Sequence, residues 1–297
     1  MYMKITCAQY TDYNIYNKSS YAKTPTSKPT FKAHFDCGQV KELVGGGLLY
    51  QRGNIHNYSC LARDVQLFME LPQILEKRFP DGTKIYDYGC SAGYEPTSVV
   101  MGLYNHFPKD TVSKYLPIEA RDNNSDIIKK AKEYKLRLGD DEMHRLKFFE
   151  NIKQEDFLTE SSKRKGRDGQ KTFECSDKLK QDINYNTGDI FEDLKEGKLS
   201  SDPCVVFIRN AWQFMTQKGI KELSENLYSK LQPQSMVIIG RNDISKGADK
   251  ELLRAGFKNI SGNYNIKFKD KKLGAKYANS KGYPPETTNI FCFEKAK

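Results

Sequence analysis

The segment Lys84-Ile85-Tyr86-Asp87-Tyr88-Gly89-Cys90-Ser91-Ala92-Gly93-Tyr94-Glu95-Pro96 narrows the folds open to this chain. Residues 85–89 read as a short buried strand. Gly89 and Gly93 permit a tight turn and a close backbone approach. Glu95-Pro96 then opens a helix, because proline suits the first helical turn, where a missing N–H costs nothing. Strand, glycine turn and helix together form the ligand cradle of open α/β sheets, whose ligands lie beyond the carboxyl ends of the strands. The spacing is neither G-x-G-x-x-G nor a P-loop. On this segment alone, a nucleotide-type ligand and a ligand-free connection are both open readings.

The flanking pattern extends the α/β reading. Leu61, Val65, Phe68, Leu71 and Leu75 recur at three- and four-residue intervals from Asn57 onward, so an amphipathic helix is predicted up to Phe79-Pro80-Asp81-Gly82. Val99, Val100, Leu103 and Tyr104 share a helical face after the turn. Residues 116–122 read as a second strand and 126–137 as another helix. Helical spacing recurs over 143–152, and Thr172-Phe173-Glu174-Cys175 fits a short strand. The alternation resumes at 183–191 and continues with strands at 204–208, 236–240 and 289–293. Helices are predicted after Thr216, with Ile220, Leu223, Leu227 and Leu231 on one face, and over 249–255. Strands alternating with helices point to a parallel sheet with crossover helices. Residues 1–53, which include Gly45-Gly46-Gly47, read as a partly irregular extension ahead of one domain over 54–297. Region 135–182 reads as an insertion or small subdomain.

Charge and cysteine use bound the setting. The net charge of +10 favours acidic partners, whether nucleic acid or an acidic protein surface. The densest basic run, Lys163-Arg164-Lys165-Gly166-Arg167, reads as a solvated loop. Seven cysteines without a C-x-x-C pair, and four scattered histidines, argue against a disulfide framework or a metal site. Residues 1–10 lack the apolar core of a signal peptide. No apolar run nears the ~18 residues of a membrane span. A cytoplasmic protein without membrane insertion is the expectation, with its oligomeric state open.

Polar residues gather at the ends of successive predicted strands. Glu95 follows the glycine turn, Asp122 ends the second strand, Asp189 follows the third, and Arg209-Asn210 end the apolar run before them. A carboxylate after the second strand suits a ribose diol, since it accepts two hydrogen bonds.

Beyond these features, residues from about 54 to 293 resemble the CheR-type, S-adenosylmethionine-dependent protein-glutamate O-methyltransferases. Gly89-Cys90-Ser91-Ala92-Gly93-Tyr94-Glu95-Pro96-Thr97-Ser98 is similar to that family's small-residue turn running into Gly-Glu-Glu-Pro-Tyr-Ser. Ala120-Arg121-Asp122 resembles its Ala-Ser-Asp, and Phe207-Ile208-Arg209-Asn210-Ala211 its Phe-Cys-Arg-Asn-Val. Leu231-Gln232-Pro233-Gln234-Ser235 resembles its Leu-Lys-Pro-Gly-Gly bend, and Asn57 and Arg63 keep the spacing of its Asn-x-Thr-x-Phe-Phe-Arg segment. Departures from the family are Phe214 for a tyrosine, Leu61-Ala62 for two aromatics, Ser59 for threonine and Tyr94 for the first of the paired glutamates.

The resemblance implies a Rossmann-like class I fold: a mostly parallel seven-stranded sheet, helices on both faces and a small inserted β-subdomain. It implies S-adenosyl-L-methionine as cofactor. Gly89, Ser91 and Gly93 would form the floor under its methionine end, and Glu95 would hold its amino group. Asp122 would hold the ribose, and Asp189 with Ile190 would face the adenine. Arg63 would meet the cofactor end or the acceptor carboxylate. Asn210, with Arg209 beside it, would line the methyl-donor site. Methylation of an acidic protein substrate at glutamate is the leading reading. A small-molecule or nucleic-acid acceptor, and a cofactor-binding module without chemistry, stay open beside it.

Overall fold

The computed structural model describes residues 59–161, 169–260 and 291–295. The extension at 1–53, Asn57, the basic run at 163–167 and residues 289 and 290 lie outside the described residues. In chain order the elements are α1 (Val65–Arg78), β1 (Ile85–Tyr88), α2 (Tyr94–His106), α3 (Lys109–Val112), β2 (Ile118–Asp122), α4 (Ser125–Ala131) and β3 (Lys135–Leu138). They continue with α5 (Asp140–Leu146), β4 (Leu158–Glu160), β5 (Lys171–Cys175), α6 (Asp177–Asp182), β6 (Ile183–Thr187), α7 (Ile190–Lys195) and β7 (Val205–Ile208). The last are α8 (Gln217–Lys230), β8 (Met236–Ile239), α9 (Arg241–Ile244), α10 (Ala248–Ala255), β9 (Phe257–Asn259) and β10 (Phe291–Lys295).

Seven strands form one sheet in the order β6-β2-β1-β7-β8-β10-β9. The β6-β2, β2-β1, β1-β7 and β7-β8 pairs are parallel, and β10 runs antiparallel to both neighbours. This is the mostly parallel, Rossmann-like sheet that was expected. β7 and β8 are continuously apolar, as strands covered on both faces are. Ile85, Val205, Phe207, Met236 and Ile238 pack with α1, α2 and α4 on one face. Tyr86, Tyr88, Val206, Ile208, Val237 and Ile239 pack with α7, α8 and α10 on the other. The two sets alternate along each strand, as the two-residue period of a strand requires.

The α1–α2 contact is unusually close for a definable reason. Pro72 lies inside α1 and has no N–H, so the Phe68 carbonyl one turn earlier loses its ordinary intrahelical donor. Gly102 of α2 lies against that carbonyl, where an added Cβ would come within 2.4 Å of the oxygen.

Three expectations are corrected. The helix expected over 126–137 ends at Ala131, and Lys135–Leu138 is a strand. Tyr134 adopts φ +52°, which breaks the helix. Beyond it, Leu136 and Leu138 turn inward while Lys135 and Arg137 stay exposed, and the segment pairs antiparallel with β5. The first helix begins at Val65, because Leu61 and Ala62 are buried in a preceding turn with Ala62 at φ +49°. Helical spacing over 143–152 corresponds to a helix that has already ended at Leu146. The inserted region does form a small antiparallel sheet, in the order β3-β5-β4.

Candidate active site

Parallel strands point their carboxyl ends the same way. β1 pairs with β2 on one side and β7 on the other, and the direction of winding reverses there. The crevice this leaves is the expected ligand position. A cleft opens there. Gly89, Ser91 and Glu95 enter it from the β1–α2 turn, Asp122 and Asn123 from the end of β2, and Gly188, Asp189 and Ile190 from the end of β6. Ile208, Arg209, Asn210, Ala211, Phe214 and Met215 come from β7 and the loop after it, and Ser59 and Arg63 from the segment ahead of α1.

The sequence-predicted residues converge on this cleft, with one exception. Gly93 is not among the lining residues; it caps α2 in the left-handed region at φ +89°. Tyr185 stands behind it, so that a Cβ at Gly93 would meet the Tyr185 hydroxyl at 2.3 Å. Gly93 thus shapes the turn from behind.

Asp122 is 6% exposed, and its carboxylate accepts the Ser91 N–H at 3.0 Å and the Asn124 N–H at 3.0 Å. Burial raises its pKa, and the two backbone donors oppose that rise. Each oxygen retains acceptor capacity. Asp189 caps α7, its Oδ1 accepting the Phe191 N–H at 3.0 Å and the Glu192 N–H at 3.4 Å.

Glu95 lies in the first turn of α2, where a negative charge is favourable. Its Oε2 accepts from Arg209, and Asp64 accepts from the same guanidinium. Arg209 is 5% exposed and lies over the Phe68 ring at 5.7 Å. Burial alone would lower its pKa, but Glu95, Asp64, Asp243 and Asp87 together raise it. Burial likewise pushes the Glu95 carboxyl up, against the pull of Arg209 and Arg63. Asp87, beneath the turn, is 0% exposed, and neither of its oxygens has a hydrogen-bond partner among the described residues. Burial and the Glu95 charge hold its carboxyl well above the usual range.

Three contributors were not anticipated: Asp64, Asp87 and Asp243. Asp243 accepts the N–H groups of Asn210 at 2.6 Å, Gly240 at 2.7 Å and Trp212 at 3.1 Å. Those bonds fix the loop carrying Asn210, which stands at φ +57°. Burial pushes Asp243 up to about 7 despite its three donors. A helix-capping pattern, Gly240-x-x-Asp243, is its one sequence signal. Asp87 hides within an apolar strand, and Asp64 has no local pattern.

The lining contains no histidine or lysine among the described residues. Its one phenol, Tyr88, donates to Asp193 at 2.9 Å, and burial and the Asp193 charge raise its pKa. Among the described residues, no group of three or more His, Cys, Asp or Glu side chains could hold a metal ion, and no helix is long and apolar enough to cross a membrane.

The family model described as CheR methyltransferase, SAM binding domain, matches residues 63–258. No curated protein matches the chain. Among solved structures, it is similar to a TehB-like SAM-dependent methyltransferase from Corynebacterium glutamicum, at 12% identity over 75% of this chain and 86% of that one, with a TM-score of 0.35. It is also similar to an O-methyltransferase family protein from Burkholderia thailandensis, at 8% identity over 78% of this chain and 57% of that one, with a TM-score of 0.38. A third is the CurJ carbon methyltransferase, at 12% identity over 78% and 54%, with a TM-score of 0.41. The chain spans little more than half the length of the last two.

Proposed function

This chain belongs to the CheR methyltransferase family, and from that premise we propose that its acceptor is a carboxylate, a glutamate side chain on an acidic protein. S-adenosylmethionine-dependent methyl transfer follows from the family itself; the acceptor is the added step.

The donor set fits the cofactor. Glu95, Asp122 and Asp189 bring acid to one cleft of a chain whose net charge is +10. The lining holds three carboxyl groups, Glu95, Asp122 and Asp189, against two arginines, Arg63 and Arg209. A ligand with a sulfonium and an ammonium supplies the missing positive charge. Glu95 would hold the ammonium by a charge-assisted bond. Asp122 would accept from the ribose diol, and Asp189 with Ile190 would face the adenine. Gly89, Ser91 and Asn210 would line the methionine end. When bound, S-adenosylmethionine supplies a methyl group made electrophilic by its positively charged sulfur.

The observation that carries the acceptor reading is that the described lining offers no histidine or lysine, its one phenol donates to Asp193, and its carboxylates are those assigned to the cofactor. A glutamate, with a pKa near ~4.3, is already ionised at neutral pH and needs no base. Amines and hydroxyls would call on one. Arg63 reaches the same cleft and offers a guanidinium to orient a carboxylate. Phe214 and Met215 would exclude water from the side where the groups react. The net charge of +10 favours an acidic protein as partner.

Radiolabelled methyl transfer into whole-cell lysate tests this reading. Label on protein that is released by mild base, as esters are, is the expected result. Label retained in RNA, in a small-molecule fraction, or on protein after base treatment would reject the carboxylate acceptor.

A further inference from the structure

Arg209 has two carboxylate partners, and only one of them, Glu95, lines the cleft. Asp64 binds the other guanidinium nitrogen and is not among the lining residues. Its side chain is 22% exposed, and its carboxylate is bonded to Arg209. Its bonded contact with the site is Arg209.

A guanidinium has several N–H donors in a fixed fork and can serve two carboxylates at once. With Asp64 present, the positive charge of Arg209 is divided between two anions. With Asp64 absent, Glu95 would face that charge alone and be more fully neutralised. We infer that Asp64 is a positioning residue for cofactor binding: by holding half of Arg209, it leaves Glu95 with uncompensated negative charge for the ligand's ammonium. This rests on the proposed pairing of Glu95 with that ammonium. It adds a residue beyond the cleft that sets how strongly Glu95 can act.

The charges facing Glu95 come from three elements. Arg209 and Asp87 approach from β7 and β1, and Arg63 and Asp64 from the segment ahead of α1. Cys90 adds a thiol from the turn. Arg209 and Arg63 favour the ionised form of Glu95, whereas Asp64 disfavours it. Removing Asp64 therefore moves Glu95 titration to lower pH while weakening the attraction for a cation. A simple loss of folding would not produce that pair of effects.

The test is calorimetric titration with S-adenosylhomocysteine, which has the same amino-acid end and survives a pH series. Wild type, Asp64→Asn, Asp64→Ser, Asp64→Glu and Glu95→Gln are compared from pH 5 to 8. Thermal melts establish which variants are folded. Affinity is expected to fall on the order of tenfold in Asp64→Asn, the size of one removed charge at moderate range. Its low-pH loss of affinity should move acidward of wild type, and Asp64→Glu should stay near wild type. Asp122 and Asp87 are common to all the curves, so the displacement isolates Asp64. Should Asp64→Asn fail to fold, Asp64→Ser, whose hydroxyl still accepts from Arg209, carries the same expectation. A folded Asp64→Asn or Asp64→Ser protein with wild-type affinity and an unmoved low-pH limb would overturn the inference. Wild-type behaviour of Glu95→Gln would instead overturn the Glu95 pairing on which it rests.

Discussion

Replacing Asp122 with alanine should separate a cofactor contact from a structural one. The carboxylate closes β2, whose last residue pairs with Thr187 of β6. Two N–H groups lose their acceptor. Ser91 is buried, so its orphaned N–H costs about 1–3 kcal/mol; Asn124 is partly exposed and can turn to water. Asp122 itself resists ionisation because it is buried, and removing it returns part of that cost. The net loss of stability should be about 1–2 kcal/mol, readable by chemical denaturation. Cofactor binding should lose more. Two hydrogen bonds from a ribose diol to a carboxylate, at about 1.5–3 kcal/mol each, set a floor near 3 kcal/mol. That is roughly a 150-fold rise in Kd, well within reach of calorimetric titration with S-adenosylmethionine. Asp122→Asn keeps the volume and one acceptor and should fall between the two. A folded Asp122→Ala protein whose Kd stays within threefold of wild type would refute the ribose assignment.

Other sites give independent checks. Arg209→Met strands Glu95 and Asp64 beside Asp87 and Asp243, and should cost about 3–5 kcal/mol in urea denaturation; a loss below about 1 kcal/mol would contradict the buried clamp. Gly93→Ala places a Cβ at 2.3 Å from the Tyr185 hydroxyl in a left-handed backbone, so a loss of about 2 kcal/mol is expected. Adding Tyr185→Phe should restore part of it, and no restoration would refute the clash. Asp243 has its folded pKa raised to about 7, so the folded state binds the extra proton between the ordinary Asp value and 7. Stability is then greatest below about pH 4 for this group and falls as pH rises to about 7, by about 4 kcal/mol at most. Asp243→Asn should flatten that slope in a series of denaturation curves, and an unchanged slope would reject the assignment.

Much of the fold was legible because the buried strands are short apolar runs. Residues 204–208 and 236–240 cannot be read otherwise once a parallel sheet is inferred. β3 was missed because Lys135 and Arg137 leave only two apolar positions, and its pairing with β5 crosses more than thirty residues of chain. The start of α1 was misplaced because Leu61 keeps the helical spacing while being buried in a turn. At the site, Glu95, Asp122 and Asp189 could be found because each follows a strand. Asp64 and Asp243 act through a guanidinium and a backbone N–H 145 and 33 residues away in sequence, and the capping pattern at Gly240-x-x-Asp243 gives no sign of the longer contact. Asp87 has the opposite problem: its neighbours read so plainly as strand core that the acid among them drew no notice.

A crystal structure of the complex with S-adenosylhomocysteine tests the central claim most directly. The amino group is expected on Glu95, the ribose diol on Asp122 and the adenine between Asp189 and Ile190, with the Asp64–Arg209–Glu95 contacts kept. A ligand bound elsewhere, or one lying in the cleft with its amino group away from Glu95 and its ribose away from Asp122, would contradict it.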